Sequence, residues 1–446
     1  MYMFTRSKIA LALTAFLFIY IVFNLTKWQN KNMLAWDESG YYIYLPAVFI
    51  YNDPGHLAFY PKIEQDYDLN SGAKWYGMHD EPTGYKLNQY TAGTAVCEMP
   101  FFLLAHWYTL NDQKDFKKDG YSQPYLVSVV FSMIFWVFAG LCVLRKFLLK
   151  YFSESATAIT LLLIAFGTNL YFYTVFRLGM SHPFSFALFC FLLYATEQWY
   201  SNERAVNIVL MGFILGLIII TRPTNAVVAI IPLWWKYKET IADKLLFYKK
   251  QLWPIVASML VFLLVLMIQC SYWKYVTGKW IYFSYEGEGF DFSDPQIWKG
   301  LFSYQKGWFV YTPVAFVAVL GLIPLFRKYK RLSIVILTYL AINIYIVFSW
   351  RNWYYGGSFG CRPLIESMAI MAIPLAMLIE WIFSRKKILV NILTLTVLGL
   401  LITLNTFQSY QLYSNVTDWG RTNKAFYWRT FGRLEVTPED RKLLDQ

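Results

Sequence analysis

Apolar runs long enough to cross a bilayer recur from one end of this chain to the other, and nothing else in the sequence constrains its fold as strongly. About 30 Å of hydrocarbon takes roughly twenty helical residues at 1.5 Å each. Such runs fall at 9–25, 124–144, 156–174, 183–200, 206–221, 224–235, 253–272, 310–326, 332–350, 363–382 and 388–405. With 57% hydrophobic and only 15% charged side chains, the 446 residues carry more apolar surface than a water-soluble core could hide. The fold class expected is therefore an all-α polytopic membrane protein with about 11 transmembrane helices over 1–405, followed by a short tail at 406–446.

Charge fixes the expected orientation. The basic segments 145–150, 236–250, 327–331 and 385–387 fall on the same side as Arg6 and Lys8 when eleven runs cross, so the N-terminus is expected inside and the C-terminus outside. Counting the further run 91–110 as a crossing would put every basic loop outside. That run contains Glu98, Pro100 and His106 and is expected to be a broken, re-entrant or surface-lying segment. The start has the basic flank and apolar stretch of a signal sequence without a small-x-small cleavage site, which reads as an uncleaved anchor. The first outer loop, 26–90, is expected to carry amphipathic helices lying on the membrane surface.

Several function classes lose support at this point. The net charge of +12 is divided among short loops rather than gathered in a patch, so nucleic acid is not an expected partner. The five cysteines stand apart with no metal-like spacing. The inner loops hold no glycine-rich phosphate loop and no histidine, leaving cytosolic nucleotide chemistry nowhere to occur.

The unusual residues lie in the outer segments. Asp37 and Glu38 follow the first span by about twelve residues, and a partly desolvated carboxylate there can serve as a general base; an acid pair at a helix start explains them as well. The outer arginines are Arg177, Arg222, Arg351 and Arg362. A guanidinium fork suits a phosphate head at the membrane surface, and snorkelling to lipid phosphates is the plainer role. MHDEP at 78–82, followed by Lys86, offers His79, Asp80 and Glu81 for a cation or an acceptor, or as loop solubilisers. His182 lies in GMSHP between two spans, where it is either functional or a helix-start hydrogen-bonding group. Segment 273–292 mixes aromatics with Glu286, Glu288 and Asp291, as a sugar site or an interfacial belt would.

The WDE of 36–38 with Tyr41 and Tyr42 after it, YTAGT at 90–94, TRPTN at 221–225 and YGGSFGCRP at 355–363 together resemble the lipid-linked-sugar glycosyltransferases of the C-type fold, such as protein O-mannosyltransferases and bacterial aminoarabinose transferases. The resemblance implies a bacterial inner-membrane enzyme with its site facing the periplasm. It implies inverting transfer of a sugar from a polyprenyl-phosphate donor to a periplasmic glycan, lipid or protein. The expected catalytic residues are Asp37, as base, and Glu38; Arg222, Arg362, His182, Lys86, Asp80 and Tyr41 are the expected substrate-binding residues. A divalent cation, Mg or Mn, shared by Asp37 and Asp80 is a further expectation. The rival reading is a lipid or polysaccharide transporter or flippase, in which the arginines only attract a lipid phosphate.

Overall fold

A computed structural model describes residues 5–70, 73, 75–111, 115–235 and 241–445. The protein is an all-α membrane protein. Among the described residues the strands, Met78–Asp80 and Lys86–Asn88, form one antiparallel hairpin with Asp80 opposite Lys86.

Among the described residues, five helices are long and apolar enough to cross a membrane: Arg6–Gln29, Gln123–Leu148, Leu252–Thr277, Lys330–Phe348 and Ile388–Tyr413. Shorter apolar helices include Glu154–Phe166, Ala205–Thr221 and Ser367–Phe383. Ser367–Phe383 is buried along most of its length, whereas Leu252–Thr277 and Ile388–Tyr413 expose leucines, isoleucines and Trp253 around their outer faces. Apolar side chains on an outer face suit lipid. Helices Ala205–Thr221 and Leu252–Thr277 touch closely because Gly212 and Gly216 face Ser258 and Val265; a Cβ at Gly212 would lie 2.2 Å from the Ser258 carbonyl oxygen. Small residues four apart allow such approach where no hydrophobic effect drives helices together.

Several expected runs are segmented. Residues 156–174 split into Glu154–Phe166 and Leu170–Val175 around Gly167, 310–326 splits at Gly321 into Pro313–Leu320 and Leu322–Lys328, and 224–235 is a 3-10 turn followed by Ile230–Trp234. The expected break at 91–110 is absent: Gly93–Asn111 is one uninterrupted helix that contains Pro100. Proline removes one ladder hydrogen bond, and packing offsets that loss. Trp136 Nε1 donates to the Cys97 carbonyl at 3.0 Å, and His106 Nδ1 meets the Tyr125 hydroxyl at 2.7 Å, which sets this helix antiparallel to the N-terminal half of Gln123–Leu148.

The last long helix runs on to Tyr413 instead of ending at 405. Its polar residues read as a tail, yet they are buried and bonded: Asn405 donates to the Tyr311 carbonyl at 2.9 Å and Gln408 to the Tyr427 hydroxyl at 2.8 Å. In the first outer loop, Asp37–Tyr42 is buried at every position, and Tyr44–Phe49 buries its first turn. They pack inward rather than lying on a surface. Tyr60–Tyr67 is amphipathic, burying Tyr60, Ile63 and Tyr67.

The helices have two chemically distinct ends. At one, Arg145 Nε donates to Ser7 Oγ at 2.6 Å and Arg145 Nη2 to Glu154 at 3.3 Å, while Ser153 Oγ donates to Glu380 at 2.5 Å. At the other end the segments following residues 25, 175, 221 and 348 converge, and that is where Asp37, Arg177, Arg222 and Arg362 meet.

Candidate active site

Asp37 is the first residue of its short helix, and Trp36 before it adopts φ 59° and ψ −126°. A left-handed φ on a bulky residue costs about 1–3 kcal/mol and persists only where neighbours enforce it. The Asn70 side chain does so, accepting from the Trp36 backbone N–H at 3.0 Å while its amide donates to the Tyr60 hydroxyl at 3.0 Å and to Glu64 at 2.7 Å. The kink turns the Asp37 carboxylate inward.

There both its oxygens have partners. Arg362 Nη1 approaches Oδ2 at 2.7 Å, and Oδ1 accepts from the Tyr90 hydroxyl at 2.8 Å and the Tyr76 hydroxyl at 3.1 Å. Burial pushes the Asp37 carboxyl up, but the charges of Arg362 and Arg177 and the Tyr90 hydrogen bond outweigh it and hold it down at about 2. Asp37 is an anion at neutral pH.

Glu38 is held differently. Arg177 Nε and Nη2 grip its oxygens at 2.5 and 3.2 Å, and Arg177 Nη1 donates to the Gly357 carbonyl at 2.8 Å. Burial raises the Glu38 carboxyl against the pull of Arg177. With both oxygens committed, Glu38 ties the first outer loop to the glycine-rich loop of 355–362. Glu38, expected beside Asp37 as a catalytic residue, also lines one of the cavities that Asp37 lines.

Arg362 reaches Asp37 because its loop turns on Gly356 and Gly360, at φ 64° and 56°. A Cβ at Gly360 would press on Tyr311 at 2.8 Å, so glycine is required there on both counts. Arg362 Nε is buried without a hydrogen-bond acceptor among the described residues.

Arg222 stands in a second network. Its Nε lies 3.5 Å from Glu366 Oε1, and its Nη1 reaches Ser181 Oγ at 3.3 Å and His182 Nε2 at 3.5 Å. The Asn225 amide donates to Glu366 Oε1 at 2.9 Å, and His182 Nδ1 meets Glu366 Oε2 at 3.2 Å. With Nε2 accepting from Arg222, the consistent tautomer carries its proton on Nδ1. His182, expected to bind substrate, is wholly buried, lies against the Glu366–Arg222 pair and lines neither cavity described below.

Two cavities meet at Asp37. One, of about 330 Å³, is walled by aromatic side chains including Tyr41, Tyr90, Tyr285 and Trp350, and both Arg222 and Arg362 open onto it. Thr91, Thr221 and Glu288 add polar groups. The other, of about 660 Å³, is polar and includes Lys27, Asn30, Asn32, Asn415 and Trp419. Asp37, Tyr76, Gly356 and Arg362 line both.

Asp80 and Lys86 lie elsewhere. They pair with each other at 2.6 Å across the hairpin, the Asp80 side chain is 82% exposed, and neither lines either cavity. Directly cross-strand opposite charges attract one another, so the sequence signal was a hairpin pair. The expected cation shared by Asp37 and Asp80 does not fit either: Asp80 pairs with Lys86 and lines neither cavity that Asp37 lines, and the described residues contain no group of three or more His, Cys, Asp or Glu that could hold a metal.

Glu366, Asn225, Tyr76 and Asn70 were not anticipated from sequence. Glu366 was hidden inside an apolar run, where an ionisable residue should itself have signalled function. Compared with known proteins, the chain matches no family model, no curated protein and no solved structure.

Proposed function

We propose that this protein is an inverting membrane glycosyltransferase that takes a sugar from a polyprenyl-phosphate donor. The observation that carries this reading is the position of Asp37, an ionised carboxylate on the partition between an aromatic cavity with two arginines and a separate polar cavity. A transferase must bring two substrates to one carboxylate from different directions. A site for a single carried lipid needs no such partition.

In the reaction, the donor phosphate lies in the aromatic cavity between Arg222 and Arg362, with the sugar against Tyr41, Tyr285 and Trp350. The acceptor hydroxyl enters from the polar cavity. Its oxygen bonds to the anomeric carbon as its proton passes to Asp37, and the carbon–oxygen bond to phosphate breaks on the opposite face. The electron pair leaves on the phosphate, where the fixed guanidinium charges stabilise it.

On this reading about eleven segments cross a bacterial inner membrane, the Arg145 end faces the cytoplasm and the Asp37 end the periplasm, in line with the basic loops. The acceptor is a periplasmic glycan, lipid or protein. The test is transfer of label from a set of polyprenyl-phosphate sugars to membrane extract by purified protein. Transfer supports the enzyme; movement of labelled lipid between vesicle leaflets without transfer puts the flippase in its place.

A further inference from the structure

The polar cavity has a charge imbalance that the transfer reaction does not use. Its two carboxylates are already neutralised, Asp37 by Arg362 at 2.7 Å and Glu38 by Arg177 at 2.5 Å. The remaining cation of the wall is Lys27, in the turn Lys27–Gln29 that closes the first span. Its ammonium lies 4.5 Å over the Tyr413 ring and has no carboxylate at ion-pair distance among the described residues. An ammonium in a recess, supported by one aromatic face, is stabilised weakly compared with one that has an anion beside it.

The groups around it are hydrogen-bond donors as well as acceptors. Asn30 and Asn32 are exposed on the cavity wall. Asn415 uses its oxygen to accept from Trp419 Nε1 at 2.8 Å, which turns its amide N–H groups free. The opposite wall is fixed, since Lys306 Nζ donates to the carbonyls of Ser358 and Trp419, and the Ser358 N–H donates to Trp419 O at 3.0 Å. The recess is thus preorganised around one uncompensated positive charge.

We propose that the polar cavity binds an acceptor carrying an oxyanion, phosphate or carboxylate, and that Lys27 is the side chain that selects it. This names the acceptor class of the transfer reaction above and rests on that reading for its catalytic consequence, but the anion site itself stands independently.

The test labels the purified full chain in lipid nanodiscs with limiting acetic anhydride and reads Lys27 against exposed Lys62 by peptide mass spectrometry. The arms are phosphatidylcholine discs alone, the same discs with inorganic phosphate or glucuronate, and discs containing phosphatidylglycerol. Selective protection of Lys27 by about fivefold is expected in at least one anionic arm, the protection given by ligand at roughly four times its Kd. Protection by phosphate or glucuronate in neutral discs assigns the oxyanion to a soluble group, and protection only by phosphatidylglycerol assigns it to a lipid headgroup. Equal labelling in every arm overturns the proposal, as does a Lys27 that stays unlabelled without ligand, because the cavity would then be closed. In the transfer assay Lys27→Gln should raise the acceptor KM about tenfold at unchanged kcat, with Lys27→Arg near wild type. Protection without transfer by wild type would retain the anion site and sink the glycosyltransferase reading.

Discussion

Arg362 Nη1 sits 2.7 Å from Asp37 Oδ2, and the pair forms part of the partition between the aromatic and the polar cavity. Both partners are needed for chemistry there, one as anion and one as cation. Arg362→Lys keeps the charge and loses the fork whose Nε is still unbonded. Transfer should fall by about 100-fold, the scale seen when one preorganised donor is removed from a developing anion, and a rate within a few-fold of wild type would remove Arg362 from that role.

Glu38 and Arg177 are predicted to matter for stability. Removing one partner of a buried pair leaves the other charge uncompensated at about 3–5 kcal/mol. Glu38→Gln should therefore lower the melting temperature clearly while the surviving folded protein keeps most of its kcat. A stable variant with lost kcat would restore Glu38 to catalysis.

Glu366 is a positioning residue for Arg222. Glu366→Gln keeps the hydrogen bond from Asn225 in prospect but removes the charge facing the guanidinium at 3.5 Å. Donor KM should rise about tenfold, on the scale of a charge-assisted hydrogen bond, with acceptor KM unchanged. An equal change in both constants would point to general loss of structure.

Lys306 gives a pH signature. Burial lowers its ammonium to about 7, Asp418 opposing and Arg362 adding to the shift. In the unfolded chain a lysine titrates near 10.4. Between these values the native state has released the proton while the unfolded chain still holds it, so stability rises with pH through that window. The melting temperature of wild type minus that of Lys306→Met should increase between pH 6 and pH 9; parallel curves would contradict it.

Much of the arrangement was legible in the sequence, in the particular sense that residue type and distance from a span were enough. Asp37, Arg222 and Arg362 stand out in the sequence as charged groups just beyond apolar runs, and all three line one cavity in the structure. What escaped depended on partners far along the chain. Asp80 and Lys86 looked like site residues until the hairpin paired them, and nothing near Glu38 in the sequence points to Arg177, which holds both its oxygens. Glu366 and Asn225 acquire meaning only when two helix ends meet. Helix boundaries failed where polar residues such as Asn405 and Gln408 are bonded inside the bundle rather than to water.

The decisive measurement is single-turnover transfer from a labelled polyprenyl-phosphate sugar by wild type and Asp37→Asn, with donor binding measured separately on each. Asp37 as base predicts that the variant binds donor yet transfers at least about 100-fold more slowly. Equal rates at equal donor occupancy would contradict it.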